Sequence, residues 1–352
     1  MRKKSTFNIA VLGAGAIGVD HLNSFRSHPA ARLVAIADTH ADRAGDAARA
    51  FDVPCVTADY RELLARDDID VISIALPNYL HFPVALAALK AGKHVMLDKP
   101  MATNARDAAR LIAEAKKRRV LFMVGQNLRF APDVQTLKQL VLQGALGDVY
   151  HAKTAWTRRS GIPRIGSWFT QKQFAGGGST YDIGVHALDR CLFLLGEFDA
   201  AAVSGKTFSK FGPRGLGEGS WGRGEVDPKK PFDVEDMSVA LIKLKSGRTV
   251  LLESSWAGHQ AAADFNGTQL FGTEAGALIP NLQLFRQTKQ GYAVENITPV
   301  AALANPNRMV HFIDCLLGRA EPYVKPAESL AVQKILDAIY VSSRTGREVR
   351  IR

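Results

Sequence analysis

Six residues set between a short apolar run and a helical pattern constrain this chain more than any other feature. Gly13-Ala14-Gly15-Ala16-Ile17-Gly18 follows the apolar run Phe7–Leu12, and a helix is predicted from Ala16 to Ser27. A strand that turns this tightly into a helix needs its first glycine for the turn. The second permits close approach of another group, and the third permits close helix–strand packing. The glycine spacing alone is weak evidence. The chain carries a second match, Gly217-Glu218-Gly219-Ser220-Trp221-Gly222, with neither a strand before it nor a helix after it. Only the first match has both flanks.

The rest of the first third repeats the alternation. Leu33–Ala37, Val71–Leu76, His94–Leu97 and Leu121–Val124 are apolar runs. They alternate with helical patterns at Ala41–Phe51, Pro83–Ala91 (proline in the first turn) and Asn104–Arg119 (Asn104 as its cap). Short strands apolar on both faces, separated by helices, predict a parallel sheet between helical layers. After about residue 130 the pattern changes. A helix over Pro132–Gln143 precedes segments of period-2 character at Val149–Thr157, Val203–Phe208, Ser238–Lys245 and Thr249–Ser255. Ser246-Gly247 forms the hairpin turn between the last two. Phe211–Lys230, rich in Gly, Pro and charge, reads as a long loop and a candidate lid. Helices return at Met309–Leu317 and Ala327–Ser343, followed by a short strand Glu348–Ile351. The expected fold is α/β: an N-terminal Rossmann parallel sheet over residues 1–128, then a C-terminal α+β domain over 129–352 with a large, mostly antiparallel open sheet. Packing of the C-terminal helices back on the first domain is left open.

Composition narrows the function classes. With 47% hydrophobic and 22% charged residues in 352, the chain is ordinary globular material. No apolar run approaches the ~18–20 residues that span a bilayer, so no membrane partner is expected. Met1-Arg2-Lys3-Lys4 starts like a signal peptide, but the following apolar segment is too short and has no cleavage site, so a cytoplasmic protein is expected. Three scattered cysteines, Cys55, Cys191 and Cys315, fit a reducing compartment and give no metal-ligand spacing. The net charge of +11 favours anionic partners. The basic residues are dispersed, however, and show no nucleic-acid-binding motif, so nucleic acid is not expected. His151, His259 and His311 also lack metal-ligand spacing and read as structural, and no metal is expected.

The glycine turn presents a helix N-terminus, with free N–H groups and a positive dipole end, to an anionic group such as a pyrophosphate. Twenty residues beyond Gly18 stands Asp38, at the end of the second strand, where a carboxylate accepts hydrogen bonds from ribose hydroxyls and repels a 2′-phosphate. NAD is therefore expected, and Arg43 nearby leaves NADP open. Asp98-Lys99-Pro100 follows the fifth strand, and a lysine there either points into the crevice or is a solvated turn residue. Asp182 and His186, after Gly176-Gly177-Gly178, are spaced i,i+4 and share a face if helical. They are either an oriented carboxylate–imidazole pair or a helix-start support.

Taken together, these motifs resemble the glucose-fructose oxidoreductase / inositol dehydrogenase (Gfo/Idh/MocA) family over nearly the whole length. The resemblance rests on Gly13–Gly18, Leu76-Pro77-Asn78-Tyr79-Leu80-His81, Asp98-Lys99-Pro100, and Gly177-Gly178 through Asp182, Gly184 and His186 to Ala187-Leu188-Asp189. Asp98 departs from the family's glutamate and is one methylene shorter. The resemblance implies an NAD(P)-dependent dehydrogenase acting on a secondary CH–OH of a sugar, polyol (inositol-like) or sugar derivative, built as a homodimer or homotetramer. It places the catalytic roles on Lys99, Asp182 and His186. His186 would accept the hydroxyl proton, Lys99 would hydrogen-bond the same oxygen, and Asp182 would hold a neighbouring hydroxyl.

Gly13, Gly15, Ala16, Ile17, Gly18, Asp38, Leu76, Asn78, His81, Asp98, Lys99 and Arg129 are the expected cofactor contacts. For Arg129 a role at the domain interface is weighed equally. Arg158 and Trp168, from an aromatic and basic cluster with Trp156 and Arg159, join Lys99, Asp182 and His186 as candidate substrate contacts. Two other readings remain. One is internal hydride recycling, as in an NAD-using glycosidase or a sugar–sugar oxidoreductase. The other is a non-catalytic dinucleotide-binding sensor.

Overall fold

Phe7–Leu12 (β1) is buried almost throughout and lies between two parallel neighbours, which is why six nearly uninterrupted apolar residues form a strand there. The computed structural model describes residues 4–220, 226–227, 229–300 and 307–351. From β1 the chain runs through Ala16–Arg26 (α1), Ala31–Ala37 (β2), Ala41–Phe51 (α2), Cys55–Thr57 (β3), Tyr60–Leu64 (α3) and Val71–Ile74 (β4). It continues through Asn78–Lys90 (α4), His94–Leu97 (β5), Ala105–Arg118 (α5) and Phe122–Val124 (β6). These six strands form one parallel sheet in the order β3-β2-β1-β4-β5-β6. The order reverses between β1 and β4. In such sheets ligands bind at the carboxyl ends of the strands beside that reversal, and the Gly13 turn lies there.

Two helix starts illustrate the local rules. Asn104 caps α5 as expected, its side chain accepting from the Asp107 N–H at 2.9 Å. α4 begins at Asn78, five residues earlier than the proline suggests, so Pro83 sits in its second turn and removes one ladder donor.

The remaining elements are Pro132–Leu142 (α6), Val149–Arg158 (β7), Ile162–Pro163 (β8), Lys172–Ala175 (α7), Val185–Leu195 (α8), Ala200–Phe208 (β9) and Glu218–Gly219 (β10). After them come Met237–Leu244 (β11), Thr249–Ser255 (β12), Asp264–Gly272 (β13), Gly276–Ile279 (β14), Gln283–Thr288 (β15) and Gly291–Asn296 (β16). Arg308–Leu316 (α9), Pro326–Thr345 (α10) and Val349–Arg350 (β17) complete the chain. Nine strands form a mostly antiparallel sheet, ordered β16-β15-β14-β13-β7-β12-β11-β9-β17, in which β7 and β12 alone run parallel. One face is the core: Val203, Ile242, Leu252 and Leu270 meet Leu188 and Leu192 of α8 and Ile335 and Ile339 of α10.

The chain divides into two compact units, Met1–Gln126 with Asn305–Leu330, and Asn127–Ala304 with Ala331–Arg352. The expected long loop Phe211–Lys230 is more structured than its composition suggests. It contains a 3-10 turn at Gly212–Arg214, and β10 pairs with β8. Residues 221–225 and 228 lie outside the described residues, as does the end of the second glycine match. No helix among the described residues is long and apolar enough to cross a membrane.

Candidate active site

At the first glycine turn each residue has a separate steric reason. Gly13 has φ +94°, and a Cβ there would lie 2.3 Å from the Ala75 carbonyl oxygen. A Cβ on Gly18 would lie 1.9 Å from the Gly13 carbonyl oxygen. Gly15, at the start of α1, faces open space: nothing lies within 4 Å of its Cβ position, and no side chain caps the helix. An uncapped N-terminus facing open space fits a pyrophosphate. Ala16 and Ile17 form the first helical turn, with Ile17 46% exposed.

Asp38 closes the other side of this turn. Its carboxylate accepts from the Ala14 N–H at 2.7 Å and the His40 N–H at 2.9 Å, and Arg43 donates to both of its oxygens at 2.6–3.0 Å. Burial alone would raise the carboxyl pKa, but the hydrogen bonds from Arg43, Ala14 and His40 outweigh it and hold Asp38 below its ordinary value. Asp38 is therefore ionised at neutral pH and fits the adenosine ribose hydroxyls. Arg43, which left NADP open, is turned onto Asp38.

The ends of β4 and β5 bring together Leu76, Asn78, His81, Asp98 and Lys99. His81 is buried, with one ring nitrogen 2.7 Å from the Pro100 carbonyl oxygen and the other 2.8 Å from that of Leu76. It thus ties the turn after β4 to the Lys99-Pro100 segment, whose peptide bond is cis. Burial lowers the His81 pKa and outweighs these carbonyls, which raise it. Asn78 is buried at the first position of α4, and Lys99 and Asp98 are half-buried.

Sequence reasoning missed His21, on α1. It is fully buried, with Nδ1 2.8 Å from Ser73 Oγ and Nε2 4.0 Å from Asp98 Oδ1. Burial, then Arg308 and His81, push its pKa well below the ordinary value, so it is neutral.

In the second unit Asp182 does not lie on a regular α-helix. Thr180–Gly184 is a π-helical turn that leads into α8, on which His186 is the second residue. The Asp182 carboxylate is buried and accepts from Trp256 Nε1 at 2.9 Å. The half-buried His186 ring packs 5.6 Å from Trp156, and the Arg158 guanidinium lies 4.8 Å above that indole. Asp264 accepts from Trp156 Nε1 and Arg158 Nε, both at 3.1 Å, so three side chains of β7 and β13 are fixed beside His186. Among the described residues no group of three or more His, Cys, Asp or Glu is placed to hold a metal.

The π-helical turn is held from below by Glu235, also missed by sequence reasoning. Its buried carboxylate accepts from the N–H groups of Gly178 and Thr180 and from Tyr340 Oη, at 2.8–3.1 Å. Burial raises the Glu235 pKa, against the lowering effect of these bonds. The glycines before the turn permit this approach. A Cβ on Gly178 would lie 1.9 Å from the Glu235 carbonyl oxygen, and one on Gly177 2.0 Å from Tyr340 Oη.

Two further candidates lie in the second unit. Arg129 is fully buried in the second unit, donates to both Asp189 oxygens at 2.6 and 2.8 Å, and lies over Phe193 and Phe198. That pair and the two rings hold its guanidinium in place. Trp168 is half-buried and stacks on Phe169 at 3.8 Å.

A Rossmann turn closed by a buried, ionised carboxylate, followed by an α+β unit carrying a fixed carboxylate and an imidazole, is the arrangement of a dinucleotide-dependent oxidoreductase. The chain belongs to the GFO/IDH/MocA oxidoreductase family. Residues 7–126 match the model of its oxidoreductase domain, with an NAD-binding Rossmann fold, and residues 134–278 match that of the GFO/IDH/MocA C-terminal domain. It is a dehydrogenase, with a nicotinamide dinucleotide as cofactor.

The chain is 29% identical to a D-glucoside 3-dehydrogenase of Escherichia coli (strain K12), over 99% of this chain and 98% of that one. It is 30% identical to a levoglucosan dehydrogenase of Pseudarthrobacter phenanthrenivorans, over 78% and 74%. Among solved structures, a levoglucosan dehydrogenase in complex with NADH superposes with TM-score 0.86 at 23% identity, covering 99% of both chains.

Proposed function

We propose that this dehydrogenase reversibly oxidises a secondary hydroxyl of a sugar or glycoside, with NAD preferred over NADP. The observation that carries the reading is the fixed pair in the second unit. Asp182 is anchored by Trp256, and His186 is seated against Trp156, in a chain that aligns end to end with a D-glucoside 3-dehydrogenase. The Gly13–Gly18 turn and the first amides of α1 hold the pyrophosphate, and Asp38 holds the ribose hydroxyls. When bound, NAD supplies the hydride acceptor.

His186 takes the proton of the reacting hydroxyl. Imidazole is the side chain most often used as a general base in enzymes. Lys99 donates a hydrogen bond to the same oxygen and stabilises the negative charge that develops on it. Asp182, an acceptor with one oxygen already fixed, orients the ring through a neighbouring hydroxyl. Trp156 and Arg158 brace His186. Exposed apolar side chains on the face of the large sheet away from α8, such as Leu241 (38%) and Phe265 (43%), support assembly as a homo-oligomer.

The reading is tested by following the reduced-nicotinamide absorbance of the purified protein with NAD or NADP and a panel of aldoses, glucosides, inositols and sugar acids. A sugar should give NADH, and His186→Ala should lower turnover by about 10²–10⁴-fold. Equal turnover in that variant removes His186 from the role of base.

A further inference from the structure

The second unit holds a cavity of about 610 Å³ outside the groups described so far, lined by Arg159, Ser160, Phe211, Leu216, His259 and Gln260 among others. Its size falls within the ~300–1,000 Å³ range of ligand clefts. Two strands lead from Asp182 and His186 to it. β7 and β12 run in parallel with Thr157 opposite Ser255, and they leave the sheet side by side. Before that point β7 carries Trp156, against His186, and directly after it the chain of β12 carries Trp256, on Asp182. The segments that follow the two strands, Arg159-Ser160 after β7 and Gly258–Gln260 beyond the end of β12, are cavity wall. Trp156 and Phe211 also pack on the same apolar cluster of Ile162, Ile183, Val234, Trp256 and Ala257.

The wall is built, not loose. Asp236 Oδ2 accepts from the N–H groups of Lys210, Phe211 and Gly212 at 2.7, 2.7 and 3.1 Å, which fixes Phe211 from the residue next to Glu235. The Phe211 ring meets His259 edge-on at 5.0 Å. Arg159 donates to the carbonyls of Gln260 and Ala261, and Gln260 donates to those of Thr157 and Ala262. The arginine thus braces a turn. None of the lining residues is acidic, which gives a cation no counter-charge. An aromatic edge, an exposed leucine and a serine hydroxyl instead suit a ring with apolar faces and a few hydroxyls.

We infer that this cavity receives the group attached to the oxidised sugar, an aryl aglycone or a second sugar ring, and so makes the enzyme a glycoside dehydrogenase and not one for free monosaccharides. The inference rests on the sugar reading above. It is tested with methyl and phenyl glucoside in the NAD-loaded protein, by kcat/KM and by calorimetric Kd, for the wild type and for Phe211→Ala. The wild type should prefer the phenyl glucoside. Phe211→Ala should lose about tenfold on the phenyl compound, as expected for one lost aromatic contact, and stay within twofold on the methyl compound. The unchanged methyl glucoside value doubles as the folding control. Leu216→Ser, at a 43% exposed position, repeats the test independently. Equal wild-type affinity for the two glucosides, or equal loss on both in the variants, overturns the inference. Phe211-dependent binding of phenyl glucoside without NADH formation would overturn the redox reading and leave the pocket standing.

Discussion

Asp38 and Arg43 are locked together, with Arg43 donating to both Asp38 oxygens. In the proposed reading this places negative charge and occupied cationic donors where a 2′-phosphate would sit, so that Asp38 sets the preference for NAD. Asp38→Ala removes that charge and releases the guanidinium. The variant should gain on NADP and lose on NAD, shifting the ratio of kcat/KM by at least about tenfold, or about 1.4 kcal/mol. An unchanged ratio would mean that Asp38 does not meet the ribose. The place of Asp38 at the end of the second strand, beside the glycine turn, was legible in the sequence from its distance to Gly18. Arg43's engagement was not, because an arginine five residues on has many rotamers and only the folded turn selects one. Trp256 and Glu235 were not legible either. Their partners, Asp182 and the Gly178–Thr180 amides, lie 55 to 74 residues away in sequence, and no local pattern records a contact of that range.

At the scale of elements, the π-helical turn Thr180–Gly184 is the part most dependent on its supports. Glu235 satisfies two amides at its start as well as the Tyr340 hydroxyl. Glu235→Gln keeps the shape, but it puts an NH₂ against these donors and leaves at least one unsatisfied. Stability should fall by about 1–3 kcal/mol in denaturant unfolding. kcat should fall more than KM rises, because Asp182 is displaced with the turn. An unchanged unfolding midpoint would contradict this role. The strands of the first sheet were legible because burial on both faces leaves near-continuous apolar runs; β1 and β5 match their expected limits. β13, β15 and β16 were missed for the opposite reason. β16 is exposed along most of its length, Gly267 interrupts β13, and much of their surface is polar, so alternation is faint. The i,i+4 reading of Asp182 and His186 assumed α-helical geometry, whereas Asp182 lies in a π turn; just before it Gly178 admits the Glu235 backbone and Gly177 the Tyr340 hydroxyl.

For the molecule as a whole, buried and half-buried histidines set the response to acid. His21, His81, His94 and His311, all in the first unit, have pKa values lowered chiefly by burial. The unfolded chain therefore binds more protons than the native state once pH drops through about 6.5. Their contribution is complete above that pH and is lost below it, at up to roughly 1.4 kcal/mol per pH unit for each group. Glu235, with a raised pKa, works in the opposite direction but is a single group. The melting temperature should hold above pH 7 and fall steadily from pH 7 to 5, and His21→Asn should flatten the slope. A flat profile over that interval would contradict the lowered pKa values of these rings.

In the proposed mechanism a hydride leaves a sugar carbon while His186 takes the proton. Transfer of deuterium from the carbinol carbon of a labelled glucoside to NAD, in a single turnover read by mass spectrometry of the nucleotide, observes that event itself. One deuterium per turnover should appear in the reduced nucleotide, and His186→Ala should slow its appearance by at least about 100-fold. Deuterium that stays on the sugar, or transfer at the wild-type rate in His186→Ala, would contradict this mechanism.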